Sequence, residues 1–136
     1  MIQAMMEREL NGVVGRPPKN VLIVDDDEGF RLALAEGITL MEGGFTVYTA
    51  ENGEQAVAVV KNTPVDLVIT DIRMPVMDGA ELALWLAEDR PSLPVIVMSA
   101  YAESGTVREL EAQGNHFLDK PLDLNRLMML VGTLLR

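Results

Sequence analysis

Four short apolar runs in the sequence each end in a residue that can handle a phosphate or a cation. Leu67-Val68-Ile69-Thr70 leads into Asp71, and Val21-Leu22-Ile23-Val24 into Asp25-Asp26-Asp27. Val95-Ile96-Val97-Met98 leads into Ser99, and Phe117-Leu118 into Asp119-Lys120-Pro121. Brought together, Asp25, Asp26 and Asp71 would repel one another, and each would lose water. A hard cation among them reverses that balance. A few oxygen ligands of this kind suit Mg²⁺, which keeps several of its waters. With Lys120 at the same edge, the set neutralises an incoming phosphoryl group. Asp71 is then a candidate nucleophile, because carboxylates form acyl phosphates. The metal and Lys120 would stabilise charge on the transferring oxygens.

Taken singly, these residues have plainer readings. Asp27 reads as a helix N-cap. Lys120 alone would be a surface lysine, and Ser99 alone a turn residue. The coincidence of four strand ends, each carrying a fitting group, outweighs those readings. Asp78-Gly79 reads as a turn into a helix. His116 is the only histidine and has no partner that suggests a metal site or a triad. The methionines read as core filling. Glycine loops of the dinucleotide or nucleoside-triphosphate type are absent.

The elements that would position these groups follow from periodicity. Continuous apolar runs at 20–24, 67–71 and 95–98 predict central parallel strands covered on both faces. Phe45 to Thr49 predicts a strand nearer an edge, and His116 to Leu118 a short fifth strand. Between them the spacing predicts a helix over 27–41. Its stripe is Phe30, Leu34, Gly37, Ile38 and Met41, with Arg31, Ala35 and Glu42 off it. Gly43-Gly44 ends it. Further helices are expected over 54–61, carrying Ala56, Val57 and Val60 inward, and over 80–88, carrying Leu82, Trp85 and Leu86. A weaker one over 102–112 contains Gly105 and a thin stripe of Val107 and Leu110. The last carries Leu124, Leu127, Met128, Val131, Leu134 and Leu135. Strands alternating with helices imply an α/β fold, a five-stranded parallel sheet with helices on both faces and right-handed crossovers. Such sheets bind ligands at the carboxyl ends of their strands, where the charged residues fall.

Composition narrows the class. The chain has 136 residues, 49% of them hydrophobic and 24% charged, which fits one domain with a real core. A formal charge of −10 argues against direct nucleic-acid binding by this chain. There is no cysteine, so neither disulfide nor thiolate chemistry is expected. No apolar run approaches the roughly 20 residues that span a bilayer. Glu7, Arg8 and Glu9 stand where a signal peptide would be apolar, and a cytoplasmic location is expected. Residues 1–19 read as an N-terminal extension, a short helix over Ile2 to Leu10 or a partly disordered leader. Residues 20–136 read as the domain.

At this point the residues resemble a family. VLIVDDDEGF at 21–30, LVITDIRMPVMDG at 67–79, PVIVMSAYAE at 94–103 and HFLDKPLD at 116–123, in this order, are similar to the receiver domains of two-component response regulators. The resemblance implies a flavodoxin-like (βα)5 fold with strand order 2-1-3-4-5. It implies that Asp71 is the phosphoacceptor. It further implies that Asp26 binds Mg²⁺ directly with Asp25 assisting, and that the backbone carbonyl of Arg73 is the third protein ligand. Ser99 and Lys120 correspond to the hydroxyl and the ammonium that meet the phosphoryl group. Lys120-Pro121 corresponds to a bond that is usually cis. Phe117 matches the aromatic switch position, where many members have tyrosine. Arg73 and Tyr101 sit where the family tunes phosphoryl lifetime, and a bulky Tyr101 is expected to shield the acyl phosphate.

The function so implied is a phosphorylation-dependent switch and not an enzyme. A sensor histidine kinase or phosphotransfer protein would donate to Asp71. The surface of the fourth helix, fifth strand and fifth helix would then change to control an output protein or domain, with a homodimer through that surface among the implied partners. The chain reaches Arg136 just after the last helix, which reads as a stand-alone receiver or as part of a longer regulator. Two other classes compete. One is an adaptor that docks regardless of phosphorylation, against which the intact acidic set, Ser99 and Lys120 argue. The other is a small Mg²⁺-dependent phosphohydrolase. Against it, Arg73 stands where such enzymes carry a second carboxylate.

Overall fold

In the computed structural model, residues 18–100 and 104–135 are described. Five strands, β1 (Lys19–Val24), β2 (Phe45–Ala50), β3 (Leu67–Asp71), β4 (Val95–Ser99) and β5 (His116–Asp119), alternate with five helices. These are α1 (Glu28–Thr39), α2 (Gly53–Asn62), α3 (Gly79–Asp89), α4 (Ser104–Ala112) and α5 (Leu124–Leu134). The sheet is parallel throughout, in the order β2-β1-β3-β4-β5.

The continuous apolar runs are central strands for a physical reason: alternate residues of each strand face different layers of helices. Val21, Ile23, Leu67, Ile69, Ile96 and Met98 pack with Leu34 and Ile38 of α1 and Leu127 and Val131 of α5. Leu22, Val24, Val68, Val95 and Val97 pack with Ala56 and Val60 of α2, Leu82, Ala83 and Leu86 of α3, and Leu110 of α4. A residue buried on either face must be apolar, so the period-2 alternation of a half-solvated strand disappears. β2 lies at an edge and is only partly buried, which fits its alternation.

Two expectations change. Arg31 is buried, on the same stripe as Leu34 and Ile38, and not off it. Leu124 is 55% exposed and so begins α5 outside the core stripe. The fourth helix is described from Ser104 and contains Gly105, while positions 102 and 103 lie outside the described residues. The first helix ends at Thr39 with Leu40 as its cap, ahead of Gly43 and Gly44, which turn the chain toward β2 with φ of 108° and 70° in conformations that cost glycine little.

Helix starts are fixed by side chains that accept orphan backbone N–H groups. Asp27 caps α1 at Phe30, Asn52 caps α2 at Gln55, and Asp78 caps α3 at Glu81. Gly79 has a second role. Its N–H donates to Ile72 O at 2.7 Å, and a Cβ at this position would overlap the Asp71 carbonyl oxygen. The start of α3 therefore rests directly on the end of β3. Gly79→Ala is predicted to destabilise the fold by about 2 kcal/mol, because backbone must move to admit one methyl group. Urea denaturation should show this as a lower midpoint with an unchanged slope.

Candidate functional site

Parallel strands of similar length deliver their last residues to one edge of the sheet. Asp71 pairs in register with Met98, and Ser99 with Asp119, so the groups after β3, β4 and β5 arrive side by side. Asp25 follows β1, next to β3. Ligating oxygens of Asp25, Asp26 and Asp71 all lie within 4.8 Å of one another. Asp25 is fully buried, Asp71 half-buried and Asp26 exposed. Lys120 Nζ donates to Asp25 Oδ2 at 3.0 Å and to Asp71 Oδ2 at 3.3 Å. Ser99 is buried, and its carbonyl accepts the Lys120 N–H at 2.9 Å. The Lys120-Pro121 bond is cis.

Each member of the site is held by backbone geometry. The Asp25 N–H donates to Ala50 O at 3.1 Å, and Asp25 Oδ1 accepts from Asp27 N at 2.9 Å. That leaves Oδ2 for Lys120. The loop from Ile72 to Asp78 is tied at both ends, by Ile72 N to Met98 O (3.0 Å) and by Gly53 N to Met77 O (3.0 Å). Gly53 lets Met77 pack closely, since a Cβ there would collide with its side chain and carbonyl. Between these ties, Met77 N donates to Pro75 O across Val76, whose φ is 70°. A β-branched residue in that region is strained, and here it forms the exposed tip of the loop that follows Asp71.

Two residues join the site without having been singled out for it. Arg31 is 7% exposed, and its Nη1 donates to Asp25 O at 2.8 Å. Its Nη2 also lies 3.9 Å from Glu51 Oε1, but Glu51 is largely exposed, so that ion pair adds little. The bond to the Asp25 carbonyl fixes the acidic turn. The spacing Arg31, Leu34, Ile38 is itself a helical stripe, and that was the available signal. Phe30, expected only as core, places its ring centroid 4.2 Å from Lys120 Nζ. Phe117 is half-buried against the core layer of α2, α3 and α4. Arg73 is exposed in the loop, and Tyr101 lies outside the described residues.

The two charged partners at the centre respond differently to one environment. Burial raises the Asp71 pKa above the usual carboxylate value. The Asp25 charge adds to that rise, and Lys120 only partly offsets it. Burial works against the Lys120 ammonium too. Its bond to Asp25 and the charges of Asp71 and Asp25 outweigh that and hold its pKa above the usual lysine value. The asymmetry has a simple source: the lysine faces two carboxylates, whereas Asp71 shares its lysine and also faces Asp25. Three hard oxygen donors this close, with more negative than positive charge among them, fit a small divalent cation and suit Mg²⁺. A concavity lined by Val65, Asp66, Arg90 and Pro94 lies at the opposite end of the strands and holds no comparable set.

The comparisons agree with this geometry. Residues 21–132 match the model of the response regulator receiver domain family. The transcriptional regulatory protein GlrR of Escherichia coli K12 is 38% identical over 111 residues, covering 81% of this chain and 24% of the relative. The DNA-binding transcriptional regulator NtrC of Salmonella typhimurium is 36% identical over 112 residues, covering 82% of this chain and 24% of the relative. The chain thus spans about a quarter of the length of these curated relatives. Among solved structures, a CheY-like receiver domain from Methanospirillum hungatei superposes with a TM-score of 0.79 at 28% identity, covering 88% of this chain and 94% of that one. The chain belongs to the response regulator receiver domain family, a family of signalling domains. Among the described residues no helix is long and apolar enough to cross a membrane.

A raised Asp71 pKa has a sign that can be checked. The folded state binds the proton more tightly than the unfolded chain, so the ionised carboxylate weakens the metal-free fold at neutral pH. That handicap fades as pH falls through the raised pKa toward and below about 4. In the presence of chelator, Asp71→Asn is predicted to melt a few degrees above wild type at neutral pH, with the gap closing on acidification. Thermal melts across a pH series check both parts.

Proposed function

We propose that this domain is a switch that takes a phosphoryl group on Asp71. The observation that carries the reading is the meeting of Asp71 with Asp25, Asp26 and Lys120 at one sheet edge. The cation would be held by Asp25, Asp26, Asp71 and the carbonyl of Arg73. When bound, Mg²⁺ would supply positive charge to the phosphoryl oxygens as a Lewis acid. One Asp71 oxygen attacks phosphorus as the bond to the donor breaks. The donor would be a phosphohistidine of a sensor kinase or phosphotransfer protein, whose imidazole leaves. Lys120 moves its donation from Asp71 Oδ2 to a phosphoryl oxygen, and Ser99 supplies its hydroxyl to another.

The conformational consequence follows from charge. A phosphoryl group adds negative charge beside two carboxylates, and the groups that can compensate must be drawn in. Ser99 ends the strand that precedes α4, and Lys120 begins the connection from β5 to α5. Movement there reaches Phe117 and the surface of α4, β5 and α5, which would dock an output protein or domain or a second copy. Among its helical neighbours, α4 has Leu110 as its buried anchor, so shifting it costs little packing. Partners beyond that surface are part of the proposal, as is a cytoplasmic setting.

Incubation with Mg²⁺ and acetyl phosphate should add the mass of one phosphoryl group to wild type and none to Asp71→Ala. Uptake by both proteins would place the acceptor elsewhere. Uptake by neither, with the protein folded and Mg²⁺ present, would favour docking independent of phosphorylation. Sustained turnover of a small phosphoester would instead indicate a phosphohydrolase.

A further inference from the structure

The Lys120 ammonium meets Asp25 Oδ2, Asp71 Oδ2 and the face of Phe30 among the described residues. The two carboxylates hold it through directional bonds. The ring does not, because attraction of a cation to a π-face varies gently as the cation slides across it. Phe30 comes from the first turn of α1 and Lys120 from the connection after β5, so the contact joins opposite ends of the chain. The ring is half-buried against the core layer of α1 and α5, which limits its own movement. The Lys120 side chain is 18% exposed, so water has limited access to the cation from any side.

We infer that Phe30 is a positioning residue for Lys120: its ring face confines the ammonium at the site edge while letting it slide from Asp71 Oδ2 to an incoming phosphoryl oxygen. This rests on the proposed phosphoryl transfer to Asp71. An aliphatic side chain of similar size would fill the same space against the core but offer no quadrupole to the cation. The ring of Phe30 meets Lys120, while its backbone N–H donates to Asp27 and not to Asp25, Asp26 or Asp71, so the side chain should act on phosphoryl uptake through the lysine and leave the cation site itself unaltered.

Three measurements on the full chain separate the outcomes. In wild type, the ε-methylene protons of Lys120 should resonate upfield of an ordinary lysine because the ring shields them, and that shift should vanish in Phe30→Leu. Unshifted protons in wild type would overturn the inference without any variant. Next, Phe30→Leu should take phosphoryl from acetyl phosphate about three- to tenfold more slowly, while Phe30→Tyr, which keeps the π-face, stays within about twofold of wild type. Equal rates in wild type and Phe30→Leu would overturn it. Finally, Mg²⁺ affinity by calorimetry should be the same in wild type and Phe30→Leu. A parallel loss of Mg²⁺ affinity would mean that the ring merely supports the acidic turn, and would also overturn it. Failure of wild type itself to take a phosphoryl group would count against the transfer reading, an outcome distinct from all of these.

Discussion

The structure turns on a conflict of charge. Asp25, Asp26 and Asp71 are delivered by β1 and β3 into a volume less than 5 Å across, and one lysine bridges two of them. Two carboxylates about 5 Å apart repel by on the order of 3 kcal/mol at the effective dielectric of a protein. Asp26 is exposed and feels less of this. Asp25 and Asp71 cannot escape, because adjacent paired strands set their spacing. Burial raises the Asp71 pKa, and the repulsion from Asp25 adds to that rise against the pull of Lys120. A fold selected only for stability would neutralise one of these groups. This one keeps them close, as a cation site would require.

Rigid supports surround the conflict. The sheet core fixes β1, β3 and β4 near their ends, where Val24, Thr70 and Met98 are fully buried. Arg31 clamps the Asp25 carbonyl from below, and Gly79 seats α3 directly on the Asp71 carbonyl. Outside those supports stand the exposed loop tip at Val76 and the side chain of Lys120. A precise acidic centre with adaptable surroundings suits a switch, because a local change of charge can be answered by displacement of whole segments.

Much of this was legible in the sequence, and the reasons are specific. Runs such as Val21 to Val24 and Val95 to Met98 read as central strands because both faces of the sheet are covered. Asp71, Ser99 and Lys120 stood out because each follows such a run. What was hidden depended on contacts distant in sequence or on the close approach of two backbones. Arg31 falls off the apolar stripe by residue type, yet the Asp25 carbonyl gives it a buried acceptor. The ring of Phe30 has the periodicity of a core residue, and nothing in spacing reveals that its face meets a lysine 90 positions away. The glycine at 79 looked like turn chemistry, while its need comes from close approach of two backbones. Leu124 fitted the α5 stripe by period but precedes the turn that meets the core.

The central claim is that the crowded carboxylates form a divalent-cation site, and unfolding free energy as a function of Mg²⁺ tests it most directly. Urea denaturation at neutral pH would be followed in chelator and in rising Mg²⁺, with sodium chloride matching ionic strength. A site present only in the folded state predicts stability that climbs by about 1.4 kcal/mol for each tenfold rise in Mg²⁺ above its dissociation constant. The sodium series should lack that climb. Stability that is flat in Mg²⁺, or that rises equally in both salts, would contradict the account, since the acidic cluster would then be screened and not ligated.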